Sequence, residues 1–385
     1  MKLVVAFDSW KGCLTAGQAG RAASDGFAST CSDYLLDVSV LPLADGGEGT
    51  LRFISSHIGG KMCPVDAHDA LMRPLTAPFL MCRDGKPAVV ELASTCGLTL
   101  LQPDERNVMQ TTTYGFGEQI AAAVAAGATD VTCALGGSAT NDAGLGALQA
   151  LGLQIYMDGE LLLRPVTGAD LDRITRFDTS ALQEKLQGVT LRYLYDARIP
   201  FYGEQGAVNL YAAQKGASIS DLSLLEDGME NVAVKMNDAV GRNPEDFAGA
   251  GAAGGTGGGL AALAGAEPLH GIEYVLDTIN FNNIIKGAAL VITGEGKADA
   301  QTRQGKVPDG VLRRAKAAGV PVVLMAGQIE DREQLEADGY SRVININEDQ
   351  LNPSMDFPAG DNPLDPVTAL HRIFYAAALL NVRNQ

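Results

Sequence analysis

One pattern constrains this chain more than any other: a short, mostly apolar run that stops at a polar turn, usually one carrying glycine. Leu3–Phe7 stops at Asp8-Ser9, and Val38–Leu43 stops at Ala44-Asp45-Gly46-Gly47-Glu48-Gly49. Val131–Leu135 stops at Gly136-Gly137-Ser138-Ala139-Thr140-Asn141-Asp142, and Ala288–Thr293 at Gly294-Glu295-Gly296. Runs without in–out alternation suit strands covered on both faces, as in parallel sheets. Helical segments lie between them. Thr15 and Gln18 make a capping box that opens a helix to about Ala28, Thr113–Ala126 is Ala-rich and closed by Gly127, and Pro308–Ala318 is closed by Gly319. Val320–Ala326 and Arg342–Ile346 read as further strands, and Val367–Leu380 as a closing helix. Strand, helix, strand implies a parallel sheet with right-handed crossovers. The stretch Lys61–Leu98 is broken by Pro64, Pro74, Pro78, Gly85 and Pro87 and reads as antiparallel strands. The proline-bearing stretch Asn352–Pro366 reads as a surface loop. A length of 385 residues suits two domains. The expected fold class is therefore α/β, with residues 1–60 and 285–385 forming one βα domain and residues 61–284 an inserted second α/β domain.

Composition narrows the function classes. Hydrophobic residues make up 46% and charged residues 19%, enough apolar material for folded cores. A net charge of −17 offers no basic footprint for nucleic acid and disfavours anionic membrane surfaces. Cys13, Cys31, Cys63, Cys82, Cys96 and Cys133 are scattered without metal-binding spacing and fit a reducing, cytoplasmic setting. The start of the chain, Met1 to Asp8, reads as a strand rather than a signal peptide, and Gly249–Ala266 is too poor in large apolar residues to span a membrane.

Standard catalytic signatures fail. Gly305-Lys306 lacks a P-loop, with Ala300 where the first glycine would stand and Val307 where Ser or Thr would. The match to G-x-G-x-x-G at Gly249–Gly254 follows Pro244–Ala248, which is not a convincing strand, so a dinucleotide site is rejected. That glycine-rich run continues to Gly259 and needs something to order it; a phosphate cradle before a helix is a sensible use. The strand-end clusters combine glycine with carboxylates, amides and lysines. Phosphoryl transfer needs that mixture: hard oxygens for a divalent cation, N–H groups for phosphate and a cation for developing charge.

The ordered set Asp8-Ser9-Trp10-Lys11-Gly12, Leu41–Thr50, Thr111–Gly115, Leu135–Asp142, Gln214-Lys215-Gly216-Ala217, Gly249–Gly255 and Ile292–Gly296 resembles the bacterial class II glycerate kinases, from Met1 to about Gly327. The resemblance implies a permuted flavodoxin-like parallel sheet built from both chain ends, an inserted second α/β domain, and a site in the cleft between them. It implies ATP- and Mg²⁺-dependent phosphorylation of D-glycerate to 2-phosphoglycerate, or, as an alternative, a 3-phosphoglycerate product or another small hydroxy acid as acceptor. Family members usually carry Pro where this chain has Phe7, Phe where it has Trp10, Leu where it has Thr256, and Arg or a neighbour ahead of the acid in Lys297-Ala298-Asp299.

Roles follow from that likeness as expectations. Lys11 is a candidate cation beside the transferred phosphoryl group or the glycerate carboxylate. Asp45 and Glu48 are candidates for Mg²⁺ binding or for accepting the hydroxyl proton, with Asp196 an alternative base. Asp8, Ser9 and Arg106 are expected to touch substrate. Gly136, Gly137, Ser138, Asn141, Lys215, Gly254 and Gly255 are expected to meet the nucleotide phosphates, while Asp142 and Glu295 join Glu48 as metal ligands. A small-molecule substrate is expected, no nucleic acid or membrane partner is, and monomer and homodimer both stay open.

Overall fold

The computed structural model describes residues 1–10, 13–30, 36–44, 46–47, 49–83, 85, 87–348 and 365–380. Its strands are β1 (Lys2–Phe7), β2 (Asp37–Pro42), β3 (Lys61–His68), β4 (Pro74–Met81), β5 (Pro87–Glu91), β6 (Asp130–Ala134), β7 (Gln154–Met157), β8 (Glu160–Leu161), β9 (Ile174–Asp178), β10 (Thr190–Tyr195), β11 (Glu267–His270), β12 (Leu290–Ala298), β13 (Val322–Ile329) and β14 (Arg342–Asn345). The chain divides into two compact units, the first Met1–Asp45 with Ile272–Gln385, the second Gly46–Gly271.

The first unit is built on a five-stranded sheet ordered β14-β13-β12-β1-β2, parallel at every pairing. Numbered within the unit, that order is 2-1-3-4-5, the flavodoxin-like order, read along the chain without permutation. The second unit simply interrupts it between its second and third strands. Leu3, Val5, Phe7, Ile292, Val323, Met325 and Ile344 bury one core with Phe27 and Ile373 from two helices, Ala16–Thr30 and Pro366–Ala378. These helices approach closely because Gly26 has no side chain; a Cβ there would overlap the backbone carbonyl of Phe374.

Strand β12 is longer than its apolar run. It extends to Ala298, so Gly294 and Glu295 lie within the strand and not after it. Pairing with β1 ends at Phe7 opposite Gly294, whereas pairing with β13 continues to Ala298 opposite Ile329. The Asp8 amide donates to the Gly294 carbonyl at 2.9 Å where β1 stops. The crevice at the switch point of the sheet, where ligands of such folds bind, therefore opens beside Asp8 and Glu295.

The second unit has a six-stranded sheet ordered β11-β10-β6-β5-β4-β3 and a small one ordered β8-β7-β9. Strands β3, β4 and β5 pair antiparallel in turn, as their prolines suggested, and the other edge of β5 pairs parallel to β6. Buried Phe116, Ile120, Val131, Leu148, Tyr193, Phe201 and Met229 belong to its core. Among the described residues no helix is long and apolar enough to cross a membrane. Of the expected surface loop, residues 352–364 lie outside the described residues, and Pro366 already opens the last helix.

Gly26→Ala is expected to push two helices apart and cost about 1–3 kcal/mol of stability, as overpacking does. Thermal unfolding checks this, and an unchanged midpoint would contradict the packing described.

Candidate active site

In the second unit, strands β6 and β10 run in register, with Leu194 opposite Ala134. Gly136 and Asp196 thus leave the same carboxyl edge of the sheet. A Cβ at Gly136 would overlap the Cα of Gly47, and the Gly136 amide donates to the Gly46 carbonyl at 3.4 Å. The loop that follows turns on Asp142. Its fully buried carboxylate accepts from the Thr113 amide (2.7 Å) and hydroxyl (2.8 Å), the Thr112 hydroxyl (3.4 Å) and the amides of Gly144 (3.1 Å) and Gly146 (3.2 Å). Burial raises the Asp142 pKa, while these donors favour the ionised form. The Thr113 hydroxyl also accepts from the Ala147 amide at 2.9 Å, so one carboxylate ties the starts of the helices Tyr114–Ala125 and Leu145–Ala150.

The same loop leaves polar atoms stranded. The Thr140 hydroxyl and both amide atoms of Asn141 are buried without a hydrogen-bond partner. Native interiors rarely tolerate this. Lys215 is also buried, its ammonium donating to the Ser138 hydroxyl at 2.8 Å and the Thr140 carbonyl at 2.7 Å. Burial pushes its pKa down to about 7, with the charge of Asp142 pulling the other way. Gly216 follows at φ 92°, where a Cβ would overlap the Arg106 carbonyl. The Arg106 Nε is another buried donor without a partner.

The glycine-rich run is mostly helical, spanning Ala252–Ala264, with Ala253, Gly254 and Gly255 in left-handed conformations at its start. A Cβ on Gly254 would overlap the Thr140 carbonyl, and one on Gly255 would lie 2.5 Å from the Met229 methyl. These glycines bring backbone against the stranded loop.

Glu91, at the end of β5, accepts from the Gly49 amide at 3.1 Å and the Leu51 amide at 2.9 Å. It caps the helix Thr50–Ile58 and satisfies amides that the helix leaves open. Sequence reading missed Glu91; its only signal was a carboxylate closing an apolar run. Lys11, Asp45 and Glu48 lie outside the described residues.

In the first unit, Asp8, just past the end of β1, and Glu295, on the adjacent β12, are both buried. Asp8 Oδ1 accepts from the Ser9 amide at 2.6 Å, and Glu295 Oε1 accepts from the Thr302 hydroxyl at 2.6 Å. Among the described residues no three acidic, histidine or cysteine side chains gather as a metal cage. Mg²⁺ does not demand one, since it usually takes one or two carboxylates and completes its shell with water and phosphate oxygens. The hard oxygen donors of Asp8 and Glu295 suit that arrangement.

A model of the glycerate kinase family matches residues 3–364. The chain belongs to the glycerate kinase family. It is 40% identical to a glycerate kinase of Bacillus subtilis over 347 residues, 90% of each chain. It is 37% identical to a glycerate 2-kinase of Escherichia coli K12 over 331 residues, 86% of each. A crystal structure of a glycerate kinase 2 from Salmonella typhimurium LT2 superposes with a TM-score of 0.76 at 32% identity, covering 98% of this chain and 96% of that one. Membership of the glycerate kinase family makes this chain an enzyme, a phosphotransferase.

Within this family member, the expected phosphate-contacting residues fall together: Gly136 to Asn141, Lys215 and Gly254–Gly255 pack around one loop. Arg106 joins them through Gly216. Asp142 lies under the same loop with both oxygens occupied. Asp8, Ser9 and Glu295 lie in the first unit.

Lys215 carries a pH signature. Its pKa falls from 10.5 to about 7 on folding, so between those values the unfolded chain holds a proton that the folded chain has shed. The folding penalty is full below that window and fades as pH rises through it. The midpoint of Lys215→Met minus that of wild type is therefore expected to be most positive near pH ~6 and to fall towards pH ~10. A difference that stays flat across a calorimetric pH series would contradict this.

Proposed function

We propose that this chain transfers the terminal phosphoryl group of ATP to the 2-hydroxyl of D-glycerate, giving 2-phosphoglycerate and ADP with Mg²⁺ as the metal. The observation that carries the proposal is the loop after β6, where Thr140 and Asn141 hold buried, unpartnered polar atoms beside the buried ammonium of Lys215. Polar atoms held without partners suit a polyanion that supplies them. Bound Mg²⁺–ATP would bring the transferable phosphoryl group and neutralise part of its charge.

In this reading Ser138, Asn141 and Lys215 contact phosphate oxygens, Arg106 does so in place of the substrate contact expected from sequence, because its backbone packs against Gly216 beside Lys215, and the backbone at Gly136, Gly137, Gly254 and Gly255 allows close approach. Glu295 and Glu48 hold the metal, Asp8 joins them in place of the substrate contact expected from sequence, because its carboxylate is buried just past the end of β1, the strand beside that of Glu295, and Ser9 faces the acceptor. Asp142 is assigned a positioning role in place of the metal role expected from sequence, because five donors already occupy its carboxylate. Lys11 supplies charge at the transferred group, and Asp45 or Asp196 takes the hydroxyl proton. The two-domain division, an interdomain site and a cytoplasmic setting belong to the same proposal and rest on the resemblance.

Incubating the protein with ATP, Mg²⁺ and D-glycerate, with L-glycerate as control, and reading the product by ³¹P NMR tests it. A 2-phosphoglycerate signal with D-glycerate only is expected. A 3-phosphoglycerate signal would overturn the position, and product from lactate, tartronate or glycerol instead would overturn the acceptor.

A further inference from the structure

Trp10 is the chain's single tryptophan. Its side chain is 3% exposed, and its indole N–H is buried with no hydrogen-bond partner. An indole N–H in an interior normally finds an acceptor, and it can only donate. The residue is also firmly held: its amide donates to the Leu14 carbonyl at 2.8 Å, and its carbonyl accepts from the amides of Cys13 (2.8 Å) and Leu14 (3.0 Å).

Its surroundings place it at the switch point of the first unit's sheet. Trp10 lies two residues beyond Asp8, where β1 stops and β12 and β13 run on. Its ring centroid is 6.3 Å from that of Phe7, and a Cβ on Gly327 of β13 would lie 3.5 Å from the ring. The ring therefore packs near Phe7 of β1 and Gly327 of β13, in the unit where Asp8 and Glu295 accept from Ser9 and Thr302.

We propose that the Trp10 indole N–H is a ligand-binding donor that hydrogen-bonds an oxygen of the small hydroxy-acid acceptor; this rests on the kinase reading above. An anionic oxygen could come from the hydroxy acid or from the nucleotide, and charge separates the two. A neutral donor without a partner, in the unit that holds Asp8 and Glu295, suits the hydroxyl or carboxylate oxygen of a small acid. A polyphosphate is better served by the cationic loop at Lys215, in the other unit.

Because Trp10 is the sole tryptophan, its fluorescence reports the site directly. Titrating the full-length protein with D-glycerate alone is expected to give a saturable change in indole emission, and ATP alone, without Mg²⁺, is expected to give none. Trp10→Phe keeps the ring and removes the donor. It is expected to raise the KM for glycerate roughly three- to tenfold with little change in kcat, as loss of one neutral hydrogen bond to a ground-state ligand does. A fluorescence response to ATP but not to glycerate would move the donor to the nucleotide and overturn the proposal. So would an unchanged KM in a Trp10→Phe protein that melts as wild type does. If that variant is unstable, the wild-type titrations decide alone. Should wild type phosphorylate another hydroxy acid but not glycerate, the kinase reading loses its acceptor, and the same titration with that acid still tests Trp10.

Discussion

The carboxylate of Asp142 organises the second unit's candidate site. Five donors from Thr112, Thr113, Gly144 and Gly146 converge on it, in a setting with no exposure to solvent. Hydrogen bonds to a charged group are roughly twice as strong as neutral ones, so the loop is fixed from its far end. That fixation explains how Thr140 and Asn141 can remain buried without partners. Each unsatisfied polar group costs about 1–3 kcal/mol, and a loop free to relax would turn them outward. The glycines at 216 and 254 complete the constraint by admitting Arg106 and the Thr140 carbonyl where a Cβ could not fit.

A different constraint operates in the first unit. Its sheet has the same direction throughout, but its strands end at different heights. Since β1 stops at Phe7 and β12 continues to Ala298, the gap beside Glu295 is made by strand length alone. Asp8, Trp10 and Glu295 occupy the rim of that step, and the chemistry they offer is hard carboxylate oxygen with one neutral donor.

Much of this was legible in the sequence because it is local. Apolar runs ending in polar turns marked β1, β2, β6 and β12, and the polar turns marked the loop at 136–142 and the step at 294–295. What failed was non-local. Gly294 and Glu295 read as a turn after a strand, yet pairing with β13 carries the strand through them. The prolines of Lys61–Leu98 suggested the antiparallel pairing that β5 makes with β4, but not the parallel pairing of its other edge with β6, forty residues on. Asp142 read as a metal ligand because its donors come from a segment about thirty residues earlier. Glu91 was invisible for the same reason, since the helix it caps begins about forty residues before it. The glycine-rich run pointed towards a phosphate cradle, but its demand comes from contacts with residues 140–143, which no spacing rule encodes.

The central claim is that Lys215 and the loop after β6 receive phosphate. Burial holds the ammonium at a pKa of about 7, and an anion beside it must raise that value. Nucleotide binding should then draw a proton from solution. Calorimetric titration of the protein with Mg²⁺–ATP at pH ~8, in two buffers of different ionisation enthalpy, measures this directly. The account predicts binding enthalpies that differ between buffers by an amount equivalent to uptake of most of one proton. Identical enthalpies in both buffers, with binding intact, would contradict it.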